Sequence, residues 1–532
     1  MSEVVTQEDK EYEEYEAAHA PGADQAMADR GNNRTLSPRS EAFVQFMSTG
    51  WDDNEPEVEA LESSKFTPAR LEALGKRFPG ERIVIPAGQP KVRNNDCDYP
   101  FRPDSAFSYY TGLGQDFEAG SVLVLNPLDP QSDEAKSGAT HTAQLFVAPR
   151  ANHYTQDFFK DAHYGEYWVG PRAGLKEMQA MTGIETADLA LLADVLGKDA
   201  GEGAVQLRVL RDTDQALTQL VDDVRESHGF DDADANHAAD DELQEYASTA
   251  RMIKDSYEVG ELRKAVAATK KGFDNILRKL PSVIGQERSE RKLEGAFNAI
   301  SREEGNAVGY DTIIASGPHA PILHWMRNTG TVESGDLLLI DAGIEVDSLY
   351  TADITRTFPV NGKFTDFQKM IYQTVLDSQQ AGFKAAQPGA TYADIHHACM
   401  RVLAERLHEW GILPVDVEEA LSPQGQQHRR WHACGCAHHL GLDVHDCAQA
   451  RYESYQGAEI RPGMTFTIEP GLYFREDDLL VPPEFRGIGI RIEDDALMTE
   501  NGPEWISIDI PKQVADVEDW MARMAAEGAK EN

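Results

Sequence analysis

The chain is 532 residues long and carries 50 basic against 91 acidic side chains, a formal net charge of -41. That field repels phosphate backbones and anionic lipid heads, which argues against nucleic acid and membrane partners and suits a protein that gathers cations. The length allows two or three domains. Its five scattered cysteines do not make a secreted disulfide framework, and no apolar run approaches the roughly 20 residues that span a bilayer, so a cytoplasmic protein is expected.

Residues 1–40 are acidic and polar, from "MSEVVTQEDKEYEEYEAAHA" to "GNNRTLSPRS", lack the apolar stretch of a secretory signal, and read as a disordered tail. Thr67 as N-cap, Pro68 in the first turn and Leu71, Leu74 and Phe78 at helical spacing predict a helix that stops at Pro79 and Gly80. "RIVIPA" (82–87) and "SVLVLNP" (121–127) are β-branched runs that predict strands, so residues 41–245 form an α/β domain. "FDDADANHAADDELQEY" (230–246) reads as an Asp- and Ala-rich linker at the domain boundary. The second domain, 246–532, opens with a helix that has Val259, Leu262, Val266, Phe273, Leu277 and Leu280 on one face. Strand-like "DLLLIDAGI", "TFTIEPGLYF" and "GIGIRIEDDALMT" follow, separated by helices near 365–386 and 391–410.

Three of these strands carry acids where burial is costly. Asp341 ends an apolar run, Asp353 follows 12 residues later after a segment long enough to turn back alongside, and Glu469 ends "TFTI" before a Pro-Gly stop. In "GIGIRIEDD" the period of two sets Ile488, Ile490 and Ile492 on one face and Arg491 and Glu493 on the other. Arg491 and Glu493 alone would equally be a salt-bridged strand face. A cluster of four carboxylates, however, needs positive charge at its centre, because crowded carboxylates do not all stay ionised without it. Carboxylates with one or two imidazoles make a hard donor set suited to manganese, or to zinc or cobalt in a dinuclear site. Two metals about 3.5 to 4 Å apart lower the pKa of a shared water, which favours hydrolysis.

"LIDAGIEVDSLYTADITRTFPVNGKFT", "HHLGLDVHD", "PGMTFTIEPGLY" and "GIGIRIEDD" together resemble the pita-bread metallopeptidases, most closely the aminopeptidase P (Xaa-Pro aminopeptidase) family, and "DYPFRPDSAFSYYTG" (98–112) resembles that family's amino-terminal domain. The resemblance spans roughly residues 65–515. It implies an amino-terminal α/β domain followed by a pita-bread catalytic domain, a curved and mostly antiparallel sheet flanked by helices. It implies five metal ligands, Asp341, Asp353, His438, Glu469 and Glu493, with Asp353 and Glu493 bridging two divalent ions, most simply Mn2+. It further implies attack by a metal-bridging hydroxide, a proton relay through Glu469, substrate and oxyanion contacts from His324 and His445, and a bracing role for Arg491.

Within "HACGCAHHLGLDVHDC" (432–447), His438 and His445 are thus the functional candidates. His439 stands where the family has a bulky apolar or aromatic residue and reads as structural, and Cys436 and Cys447 read as small buried hydrophobes. Cys434 occupies the place of a substrate-contacting histidine in the family, and a thiol does not supply a cationic imidazole donor. His432 lies roughly 6.6 to 6.8 Å away along an extended chain and would replace it only if the backbone shifted. A soft zinc site of His432, Cys434, Cys436 and His438 is the competing reading. His319, His396 and His397 read as ordinary loop or helix histidines.

The expected activity is release of the first residue from peptides with proline second, a bond that is a tertiary amide without an N–H. A prolidase that cuts Xaa-Pro dipeptides, a metal-free C–N hydrolase of the creatinase type and a non-catalytic pita-bread binding module are the alternatives. The last two lack ligands that this chain retains. The family resemblance also implies a homo-oligomer, a dimer or tetramer.

Overall fold

The computed structural model describes Lys10 and residues 40–53, 55–95, 97–117, 119–200 and 205–531. The expectation of a disordered tail falls on residues outside this set, Lys10 and Ser40 apart. The β-branched runs of the first half pair into one mixed sheet. Its strands β1 (Arg82–Pro86), β2 (Val122–Pro127), β3 (His141–Val147), β4 (Glu185–Asp188) and β5 (Leu207–Val209) lie in the order β4-β3-β2-β1-β5. The pairs β1–β2 and β2–β3 are antiparallel, and β1–β5 and β3–β4 are parallel. Alternation buries both faces: Val84, Val122, Val124 and Phe146 pack on Leu196, Leu217 and Val221, whereas Ile83, Ile85, Leu123 and Leu145 join the main core.

Two expectations are corrected here. A helix does run over Thr67–Arg77, but its N-cap is Phe66 without a capping side chain, and the buried Thr67 hydroxyl has no partner. The segment read as a linker is an 18-residue helix, Ala233–Ala250. Asp232 caps it by accepting from the Ala235 N–H (3.1 Å), alanine costs no side-chain entropy in a helix, and Ala239, Leu243 and Ala247 at four-residue spacing are buried. Residues 245 and 246 therefore both lie inside a helix, and the turn that leads onward spans residues 251–255.

The second half starts at Ser256–Lys279, a helix opened by the reciprocal Asp255–Glu258 capping box. Strands β6 (Ile313–Ser316), β7 (Leu337–Ala342) and β8 (Ile354–Pro359) form an antiparallel sheet ordered β8-β7-β6. Strands β9 (Thr465–Ile468), β10 (Gly471–Phe474), β11 (Ile488–Arg491), β12 (Asp494–Thr499) and β13 (Gly502–Trp505) pair antiparallel as β9-β12-β13 and β10-β11. The Glu493 N–H donates to the Thr355 carbonyl (3.1 Å), which joins the two sets into one curved surface. Helices Asp366–Ala385 and Tyr392–Glu409 flank it, and Gln379 Nε2 donates to the Ile468 carbonyl (3.1 Å) and Asp494 Oδ2 (3.0 Å) where the strands break.

The loop 441–447 lies where the two halves meet. Asp446, 1 % exposed, accepts from Lys254 Nζ (2.8 Å) and Arg251 Nε (3.0 Å). Burial alone would raise its pKa, but the two cations outweigh burial and hold it at about 2. This pairing contributes fully above the ordinary value of 3.8 and is lost as pH falls from there towards 2. Asp446→Asn leaves two buried cations short of a counter-charge, so we expect it to lower unfolding stability by about 3 to 5 kcal/mol at pH 7. Denaturant titration checks this, and the gap to the parent should close in acid.

Candidate active site

Strand register explains why distant acids meet. In the β7–β8 hairpin Asp341 pairs with Thr355, and the same register continues to the Glu345–Thr351 bridge. Side chains two residues apart share a face, so Asp353 stands diagonally across from Asp341 on one side of the ribbon. Between them Gly343 lets the strands close, since a Cβ there would lie 1.8 Å from the Ala352 carbonyl oxygen. The second ribbon repeats the device. Phe466 pairs with Ala496 and Gly471 with Arg491, a register that sets Glu469 opposite Glu493 with Arg491 next along the same face. A third chain runs beside β9: the Thr467 N–H donates to the His438 carbonyl (3.0 Å) and the Glu469 N–H to the Cys436 carbonyl (2.9 Å).

These three segments wall a cavity of about 590 Å³ lined by Asp341, Asp353, His438, Glu469, Glu493 and Arg491, with His324, His445 and Cys434 at its sides. His438 Nε2 lies 3.4 Å from Asp353 Oδ2 and 3.5 Å from Glu469 Oε1. Arg491 pairs with Asp341 and donates from Nε to Thr355 Oγ1 (3.0 Å) and from Nη1 to the Tyr473 hydroxyl (2.9 Å). Thr355 Oγ1 in turn donates to Glu493 Oε2 (2.7 Å). The Tyr310 hydroxyl sits 2.7 Å from Asp341 Oδ1 and 2.5 Å from Asp353 Oδ1. Sequence reasoning missed Thr355 and Tyr473, because a hydroxyl on a strand carries no signal of its own until register shows which face it takes, and Tyr310, which reaches the acids from a bend before β6.

The electrostatics match the crowding. Burial, then the neighbouring Asp353, Glu469 and Asp341, push Glu493 well above the carboxylate range. Glu469 is raised to about 7, by burial first, with His438 acting against it and Asp353 with it. Asp341 is raised by burial despite Arg491. Burial alone would lower His438, yet the hydrogen bond to Asp353 and the charge of Glu469 raise it to about 9. Arg491 and the His438 imidazolium are too little positive charge for three buried carboxylates and the half-buried Glu469, and divalent cations would supply the remainder. The donor chemistry fits: ligating atoms of Asp353, His438 and Glu493 all lie within 4.8 Å of one another. Among the described residues no group containing Cys434 or Cys436 meets that criterion, so the soft zinc reading is not supported.

The other residues of 432–447 fall into place. His432 is buried behind the strand, its Nδ1 2.9 Å from the Gly471 carbonyl, and burial lowers it to about 3. It does not line the cavity. His439 is fully buried with Nδ1 3.1 Å from the Tyr392 hydroxyl, and Cys436 and Cys447 are buried. His319 stacks on Trp325 and meets Glu290 (2.7 Å), and His396 meets Arg429 (3.1 Å). Cys434 lines the cavity as a neutral thiol, pushed up to about 11 by burial and then by Glu469. A weak S–H donor is worth less than a full hydrogen bond, so Cys434→Ala is expected to change kcat/KM by less than about threefold, against about tenfold for each 1.4 kcal/mol. Steady-state kinetics of the purified variant decides this.

Residues 260–500 match the model of metallopeptidase family M24, and residues 68–205 match that of the aminopeptidase P amino-terminal domain. The chain is 44% identical over 486 residues to Xaa-Pro aminopeptidase 1 of Streptomyces coelicolor, covering 91% of this chain and 93% of that one. The chain belongs to the aminopeptidase P family. It is 31% identical over 460 residues to the Xaa-Pro aminopeptidase of Escherichia coli, covering 86% of this chain and 97% of that one. Zinc-substituted Escherichia coli aminopeptidase P in complex with product superposes with a TM-score of 0.73 at 30% identity, covering 87% of this chain and 99% of that one. The two-domain, pita-bread architecture expected for an aminopeptidase P is the one found. No helix among the described residues is long and apolar enough to cross a membrane.

Proposed function

We propose that this chain is a metal-dependent Xaa-Pro aminopeptidase with two divalent ions, Mn2+ by preference, held by Asp341, Asp353, His438, Glu469 and Glu493. One observation carries the reading: four carboxylates and an imidazole from three chain segments surround one cavity with too little cationic charge of their own. Bound divalent ions would acidify a water and stabilise negative charge on the substrate oxygen. Asp341, Asp353, His438, Glu469 and Glu493 would hold these ions, with Asp353, His438 and Glu493 offering donor atoms within 4.8 Å of one another. Glu469, which lines the cavity beside His438, would accept a proton from the attacking water and return it to the leaving nitrogen, and bound cations would hold its pKa below the value of about 7 that burial gives it without them. His324 and His445 hold the scissile carbonyl from the open side, and Arg491 braces Asp341. The apolar walls at Ile313, Leu323, Met326 and Val444 accept the proline ring.

The division into residues 41–245 and 246–532 remains our reading, with the helix Ala233–Ala250 as connecting element. A cytosolic homo-oligomer, dimer or tetramer, is part of the same proposal, and sedimentation velocity measures it. The central assay follows release of the first amino acid from an Xaa-Pro-Yaa peptide by metal-stripped protein, with manganese, zinc or cobalt restored in turn. Cleavage of Xaa-Pro dipeptides alone would make it a prolidase, and silence with every metal would leave a binding module.

A further inference from the structure

The loop 441–447 presents His445 to the cavity with its ring 4.5 Å from that of His438 and nearly perpendicular to it. Few of the groups that hold this loop belong to the strands of the metal site. Arg102, from the first domain, donates Nη2 to the Leu442 carbonyl (2.7 Å) and Nε to Glu345 Oε2 (2.7 Å), and stands 3.8 Å from Asp443 Oδ1. Ser105 Oγ, at the start of the helix Ser105–Thr111, receives Arg102 Nη1 (3.1 Å) and donates to Asp443 Oδ1 (2.5 Å). From the turn that follows the helix Ala233–Ala250, Arg251 reaches Asp443 Oδ2 (2.9 Å) and Asp446 Oδ1 (3.0 Å), and Lys254 completes Asp446. His445 is thus flanked, at two residues before and one after, by carboxylates tied to groups outside the metal-site strands. The loop is drawn tight as well: a Cβ on Gly441 would lie 2.1 Å from Asp446 Oδ2.

We propose that the amino-terminal domain acts in catalysis by fixing His445: Arg102 and Ser105 are positioning residues that clamp the 441–447 loop through Leu442 and Asp443. The inference rests on the function proposed above for His445. Arg102 donates to acceptors at three points, Leu442, Glu345 and Ser105, a planar fork that a lysine does not reproduce. A misplacement of about 1 Å in such a group costs on the order of 10²-fold in rate, so the clamp has leverage without touching substrate.

The test uses the full-length protein with Mn2+ and an Xaa-Pro-Yaa peptide. Arg102→Ala and Ser105→Ala, singly and together, should lower kcat by about tenfold or more with metal content unchanged, and Arg102→Lys should recover only part of the loss. In a His445→Ala background the same changes should cost less than about twofold, because the group they position is gone. Equal losses in both backgrounds, or none in the first, would overturn the clamp. Amide hydrogen exchange of 441–447 gives a readout without turnover: Arg102→Ala should speed exchange there and not in 317–330, which carries His324. Unchanged exchange rejects the clamp even if the parent cleaves nothing, an outcome that by itself would sink only the functional reading.

Discussion

Glu493→Gln should melt higher than the parent once both are stripped of metal, and should have lost at least about 10³-fold in kcat. The two effects have one cause. Glu493 is 2 % exposed and faces Asp353, Glu469 and Asp341, so burial and like charge disfavour its ionised form. Glutamine keeps the shape, still accepts from Thr355 Oγ1, and is neutral without having to take up a proton. That crowding costs the parent stability whether Glu493 stays ionised or takes up a proton, so the variant should be the more stable of the two in the metal-free state. With metal the order reverses. Mn2+ at about 100 times its dissociation constant should stabilise the parent by about 2.7 kcal/mol, and a variant without the bridging carboxylate should gain less than half of this. Differential scanning calorimetry with and without Mn2+ measures all four values. A stripped variant that melts below the stripped parent would show that the carboxylates are not crowded in the way the register implies.

Much of this arrangement was legible because it follows the strand period. The alternation in "GIGIRIEDD" was enough to set Arg491 and Glu493 on one face, and the apolar runs before Asp341 and Glu469 located strand ends. What the period does not show is partnership between ribbons. Thr355, which bonds both Glu493 and Arg491, sits in "TADITRTF" as one more β-branched strand residue until β8 is placed beside β11 and β12. Tyr310 is in the same position, 31 residues from Asp341 and 43 from Asp353. Composition misled at 230–246, where aspartates suggested a linker. One of them is a cap and another, Asp240, is buried against Arg225 (2.6 Å). Arg102 lies 340 residues from Leu442. No local pattern joins such positions, and the link exists only because the two domains pack.

His445→Ala should lower kcat by about 10² to 10³-fold while leaving bound metal and thermal stability near those of the parent. The imidazole lines the cavity beside His438, the two rings 4.5 Å apart and nearly perpendicular. Burial lowers its pKa from 6.5, and the charge of His438 in the metal-free protein, or of a bound cation in its place, acts the same way, which favours an uncharged donor of one N–H. A fixed, uncharged donor suits an oxygen that gains charge only during reaction. It binds the ground state weakly, and its removal is felt in kcat, as for other oxyanion donors worth 10² to 10³-fold. A ligand behaves otherwise, because its loss would empty the site and abolish the thermal shift on adding Mn2+. Metal analysis of the purified His445→Ala protein therefore separates the two roles: full occupancy with a crippled kcat places the residue on the substrate side, and a stripped protein would move it into the coordination sphere.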